Sequence, residues 1–252
     1  MPKPFVALLH GVGLDHTMWR PVAELLGGEF EVVTPDLLGH GGNAPAPNGT
    51  TLRDLADDVA RSLSPGSHLV GFSLGALVAQ HLARYRPALV ATLTSVNSVC
   101  RRTESERTAV LGRLATAGTD FAAGVEASLR RWYEGTGVDP ALVEQTRATL
   151  LANDVASYLN CYRVFATGDE EIGPELPQIT APALAITGEL DPGSTPEMTR
   201  RLAAALPDCR AVVVPGARHM LPVQQPQELV TPLTTFIRER SNAESHAPSR
   251  SV

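Results

Sequence analysis

Short apolar, β-branched runs recur along this chain, separated by longer stretches whose apolar residues fall at three- and four-residue spacing. The runs are FVALLH (5–10), FEVVTP (30–35), HLVGF (68–72), LVATLTSV (89–96), ALAITG (183–188) and RAVVVP (210–215). Near-continuous apolar runs of this length suit strands buried on both faces, as in a parallel sheet. MWRPVAELLG, TLRDLADDVARSL, LGALVAQHLARY and the closing PQELVTPLTTFIRER carry the one-sided pattern of helices that cover such a sheet. Parallel neighbours need long crossovers, which these helices supply. The expected class is α/β, a mostly parallel sheet flanked by helices.

The alternation stops between about residue 100 and residue 178. Arg107–Ala115, Phe121–Tyr133 and Ala141–Phe165 are helical in pattern, and GPELPQITAP returns the chain to the sheet. An all-helical insertion between two parallel strands belongs above the strand ends, where such sheets bind ligands. The expected division is a core of residues 1–99 and 179–240, a helical cap of 100–178 and a flexible polar tail of 241–252.

Composition narrows the function. A chain of 252 residues with 43% hydrophobic and 19% charged residues reads as a soluble globule with one core. Its net charge of −6 argues against a nucleic-acid partner. The only dense basic spots, Arg101-Arg102, Arg130-Arg131 and Arg200-Arg201, are short and read mostly as solvated helix faces. No apolar run reaches bilayer-crossing length and the N-terminal one is too short for a secretory signal, so no membrane partner and a cytoplasmic location are expected. Cys100, Cys161 and Cys209 lack metal-ligand spacing and read as free thiols. No cofactor or metal is expected, and oligomeric state is not legible.

The pentapeptide GFSLG (71–75) matches G-x-S-x-G, with a strand before it and a helix after it. That turn is so sharp that Gly71 and Gly75 are needed where side chains would collide with the neighbouring strand and helix. A serine hydroxyl needs a base, and the base an orienting acid, in the chain order Ser, Asp or Glu, His on such a sheet. ELDPGS after the fifth run offers Asp191 as the acid, with Glu189 as a rival, and GARHMLP after the sixth offers His219 as the base. His16 is a rival base that arrives before the nucleophile, while His68, His81 and His246 are poorly placed and His40 reads as a turn residue. An oxyanion needs two preset donors, read as the N–H groups of Leu74 and of Val12 in HGVGLDHTMW.

By these residues and their order the chain resembles the α/β-hydrolase superfamily, and within it the 3-oxoadipate enol-lactonase group. HGVGLDHTMW (with Gly13, Asp15 and Trp19), PDLLGHGGN, ASLRRWYEG, LLANDVASYLNCYRVFATGD, ALAITGELDPGSTP and HMLPVQQPQEL carry the likeness. The chain departs from the group in opening almost directly on its first strand, a truncated form of the usual N-terminal strand pair, and in Tyr133 and HMLPVQQP. The resemblance implies Ser73 as nucleophile, Asp191 as acid, His219 as base and Val12 and Leu74 as oxyanion donors. It further implies that Arg131 and Trp132 face the substrate from the cap, with Trp19 from the first loop; an amphipathic helix with an exposed arginine and a packed tryptophan is the other reading of that pair. The expected function is a serine hydrolase, independent of cofactors, that cleaves a small carboxylated ester or enol-lactone through an acyl-enzyme. Arg131, Arg163, Arg101 and Arg102 are candidates to meet the carboxylate. Two alternatives stay open: a C–C bond hydrolase or perhydrolase on the same triad, against whose first form Met220 speaks mildly, and a non-catalytic ligand-binding receptor with the same fold.

Overall fold

The computed structural model describes residues 3–245. Its sheet comprises β1 (Phe5–Leu9), β2 (Glu31–Val33), β3 (Ser67–Phe72), β4 (Val90–Val96), β5 (Ala183–Gly188) and β6 (Cys209–Val214). Each strand falls within one residue or two of an expected run. The order is β2-β1-β3-β4-β5-β6, and every pairing is parallel. β3 and β5 are buried along their whole length, whereas β2 and β6 at the edges are partly exposed.

Side-chain alternation sorts the core into two layers. Ala7, Leu9 and Leu69 pack on one face with α2 (Leu52–Ala60) and α3 (Leu74–Tyr85). Val6, Leu8, Val70 and Phe72 pack on the other with α1 (Arg20–Leu26) and α10 (Pro226–Ser245). Because β1 has β2 on one side and β3 on the other, the sheet order reverses there, and the loops after β1 and β3 open onto a shared crevice.

Between β4 and β5 the chain forms α4 (Glu104–Thr119), α5 (Phe121–Tyr133), α6 (Pro140–Leu151) and α7 (Val155–Ile172). The pattern over 141–165 reads as one helix, but it breaks after Leu151: Asp154 caps α7 by accepting from the Ser157 N–H, and Asn153 donates to the carbonyl of Gly13. Arg102 is not on a solvated face. It is buried, paired with Asp169 of α7, which also accepts from its backbone N–H at 2.7 Å. The remaining core helices are α8 (Pro196–Ala205) and the short α9 (Leu221–Gln224). α10 continues to Ser245, into the segment expected as a tail; no glycine or proline stops it and the Ser241 hydroxyl donates to the Ile237 carbonyl. The rest of that segment lies outside the described residues.

The junction of β3 and α3 is the tightest point of the fold. A Cβ on Gly71 would lie 2.2 Å from the carbonyl oxygen of Gly75, and one on Gly75 would lie 2.3 Å from that of Leu9. Both neighbours are backbone, which cannot rotate aside. Gly75→Ala is therefore expected to cost about 3 kcal/mol or more, read as a lowered midpoint in thermal or urea denaturation.

Two buried histidines brace the loops beyond β1 and β2. The His10 Nδ1–H donates to the Gly11 carbonyl while Nε2 accepts from the Leu37 N–H, fixing one neutral tautomer. His40 packs edge-on against it, ring centroids 5.1 Å apart, and its Nδ1–H donates to the Leu38 carbonyl. Burial, reinforced by the neighbouring His10, pulls the His40 pKa from 6.5 down to about 3, and burial lowers His10 as well. Between those two values the unfolded chain binds a proton that the folded one refuses. The stabilisation is thus whole above pH 6.5 and is lost as the pH falls toward 3. For His40 the slope approaches about 1.4 kcal/mol per pH unit. Urea midpoints measured at neutral and mildly acidic pH should differ, and His40→Gln should narrow the difference.

Candidate active site

The chain leaves β3 at Phe72 and enters α3 at Leu74, so Ser73 alone makes the turn, at φ 53° and ψ −111°. For a residue other than glycine this is a sparsely populated conformation, held by the packing on either side. Ser73 is buried, but its hydroxyl makes no capping bond to α3, and the residue lines a narrow cavity. The N–H groups of Val12 and Leu74 enter no turn, loop or cap hydrogen bond to backbone among the described residues.

Asp191 follows β5 and His219 follows β6, and both line the Ser73 cavity. The His219 Nδ1–H donates to Asp191 Oδ2 at 2.7 Å. The same carboxylate accepts from Asn97 Nδ2 through Oδ2 and from the N–H groups of Gly193 and Ser194 through Oδ1. Burial by itself would raise the Asp191 pKa. The charge and hydrogen bond of His219, with the bonds from Ser194 and Asn97, outweigh it and hold the carboxyl below its ordinary value. His219 lies between two aromatic rings, Phe72 at 4.9 Å and Trp132, stacked at 5.5 Å with 29° between planes. This leaves the second nitrogen of the imidazole toward the cavity, because Nδ1 is committed to Asp191.

The rivals lie elsewhere. Glu189 is exposed and accepts from the Gly216 N–H, and the half-exposed His16 is bound to Asp36 at 2.8 Å. His68 meets the Thr92 hydroxyl and His81 approaches Glu171 at 4.0 Å, while His246 lies outside the described residues.

Of the residues expected to face a substrate, Val12, Arg131 and Trp132 line the Ser73 cavity and Trp19 does not. Trp19 is fully buried and meets Phe72 edge-on at 6.4 Å, because the 3-10 turn His16–Trp19, capped by Asp15, rotates the indole into the core. Arg101 and Arg102 are held by Gly173 and Asp169, and the exposed Arg163 by Asn160. Arg131, on α5, bonds to the Ser128 hydroxyl at 3.0 Å and reaches no carboxylate among the described residues. Burial lowers its pKa, and a second arginine, Arg113 of α4, pushes the same way.

Sequence reading missed Arg113 and Asn97. Asn97, at φ 47°, stands one residue past β4 beside β5, where its amide reaches Asp191. A polar residue closing the apolar run LVATLTSV was a signal for it. Arg113 carried none, since α4 buries only Val110 and Ala117 and so shows no clear inner face.

Residues 6–231 match the alpha/beta hydrolase family. The chain is 31% identical over 231 residues to (E)-2-((N-methylformamido)methylene)succinate hydrolase of Acinetobacter baylyi (strain ATCC 33305 / BD413 / ADP1), covering 90% of this chain and 87% of that one. It is 28% identical over 242 residues to 3-oxoadipate enol-lactonase 1 of the same organism, covering 93% and 89%. The enol-lactonase from Burkholderia xenovorans LB400 superposes with a TM-score of 0.85 at 26% identity, over 94% of this chain and 92% of that one. No helix among the described residues is long and apolar enough to cross a membrane. With the elbow, the sheet order and these matches in agreement, the chain belongs to the alpha/beta hydrolase family.

Proposed function

We propose that this protein is a serine hydrolase that cleaves a small carboxylated ester or enol-lactone through an acyl-enzyme. The observation that carries this reading is the 2.7 Å bond between Asp191 and His219 at the wall of the cavity that Ser73 faces. His219 takes the Ser73 proton as the hydroxyl attacks the carbonyl, and Asp191 fixes the tautomer and favours the imidazolium that forms. The N–H groups of Val12 and Leu74 receive the oxyanion, aided by the N-terminus of α3. His219 then returns the proton to the leaving oxygen and activates the water that frees the acid.

Residues 100–178 act as a cap, and from it Arg131 meets the substrate carboxylate while Trp132 holds the base. A guanidinium drawn out of water without an acidic partner supports an anionic ligand. The succinate and 3-oxoadipate in the relatives' names, both dicarboxylates, support the same chemistry. The free thiols of Cys100, Cys161 and Cys209 support a reducing, cytoplasmic location.

The test is turnover of an activated aryl ester and of carboxylated enol-lactones, amides and carbon–carbon substrates, with mass detection of an adduct on Ser73. Ser73→Ala should lower kcat by about 10⁴ to 10⁶. Asp191→Asn should lower it by about 10⁴ or less, because the imidazole loses its orienting acceptor. Near-full activity in Ser73→Ala would overturn the mechanism. Tight binding without turnover would favour a receptor.

A further inference from the structure

The cavity at Ser73 does not end at Arg131. Arg113, Arg131 and Tyr162 line both it and a second, small and partly open space between α4, α5 and α7. The residues reaching this second space sit on one face of each helix: Arg113 and Ala117 of α4, Gly124 and Ser128 of α5, Tyr158 and Tyr162 of α7. Gly124 lets α5 approach the Ala117 backbone, where a Cβ would come within 3.2 Å.

Its charge is one-sided. No aspartate or glutamate lines the second space, and the single carboxylate of the first, Asp191, is saturated by four donors. Arginines nearby differ: Arg102, Arg107 and Arg147 are paired with Asp169, Glu170, and Glu144 and Glu126, while Arg130 and Arg163 meet no carboxylate among the described residues but are exposed to water. Arg113 is half-buried and takes part in no ion pair or hydrogen bond among the described residues. Two guanidiniums thus line one partly dry space in a chain whose net charge is −6. Such an arrangement costs folding energy unless an anion occupies it. Tyr158 and Tyr162, whose hydroxyls enter no hydrogen bond among the described residues, add phenol donors to the lining.

We infer that this second space is a subsite for a second carboxylate, held by Arg113, so that the substrate is a dianion gripped at Arg131 and again at its far end. The inference rests on the proposed hydrolase reading for the orientation of the ligand, but its test does not need catalysis.

The full-length Ser73→Ala protein is titrated by calorimetry with succinate, glutarate and adipate, and with butyrate, valerate and hexanoate as monocarboxylates of equal carbon number. At least one dicarboxylate should bind about tenfold or more tightly than its partner, the worth of one charge-assisted contact. Arg113→Gln should erase that ratio while leaving monocarboxylate affinity within about twofold, and Arg113→Lys should restore part of it. Circular dichroism and the thermal midpoint of each variant verify that the α4 face is intact. A ratio near one in the parent, or a ratio unchanged in Arg113→Gln, overturns the subsite. Absence of ester turnover by the unsubstituted protein would instead sink the hydrolase reading and leave this binding result standing.

Discussion

Everything in this molecule is arranged around the contact between the backbone of β3 and that of α3. α3 approaches β3 until only hydrogen fits at position 71, and approaches the end of β1 until only hydrogen fits at position 75, and the serine between the two glycines takes a positive φ. The strain is confined to one residue because the sheet and the helix are both buried and cannot relax toward each other. In return the hydroxyl stands clear of its own helix, above the reversal in sheet order, with two unengaged N–H groups nearby. Placing Asp191 and His219 beside it then requires no special loops. β5 and β6 are the next strands across, and their ends face the same crevice.

A second theme is charge without water. Asp191 keeps its proton off despite complete burial because four donors converge on its two oxygens. The arginines over the cavity have the opposite arrangement: Arg131 bonds to the Ser128 hydroxyl and the Ala127 carbonyl, but neither it nor Arg113 meets a carboxylate among the described residues. One side of the chamber is thus electrostatically complete in the free protein and the other is not.

Most of the architecture was legible from the chain. Parallel strands buried on both sides leave a conspicuous apolar signature, and all six were found within a residue or two. Turn chemistry and chain order pointed to Ser73, Asp191 and His219, and the three line one cavity. What escaped were features set by three-dimensional packing rather than by spacing. Trp19 belongs to a recognisable loop sequence, but the direction of its ring depends on a capped 3-10 turn. Asn153 breaks an otherwise continuous helical pattern by bonding to a carbonyl 140 residues away. Arg113 lies on a helix with little one-sidedness, so nothing local marks the face it presents.

The stacking of Trp132 on His219 joins two parts of the chain that folding could have kept independent. One wall of the imidazole is Phe72, the last residue of a central strand, and the other is a side chain of the inserted helices. Any displacement of α5 large enough to admit a ligand from that side would strip one flank from the ring. The segment that roofs the chamber thus also sets the attitude of the imidazole, so under the proposed mechanism loosening the roof would detune the proton transfer beneath it.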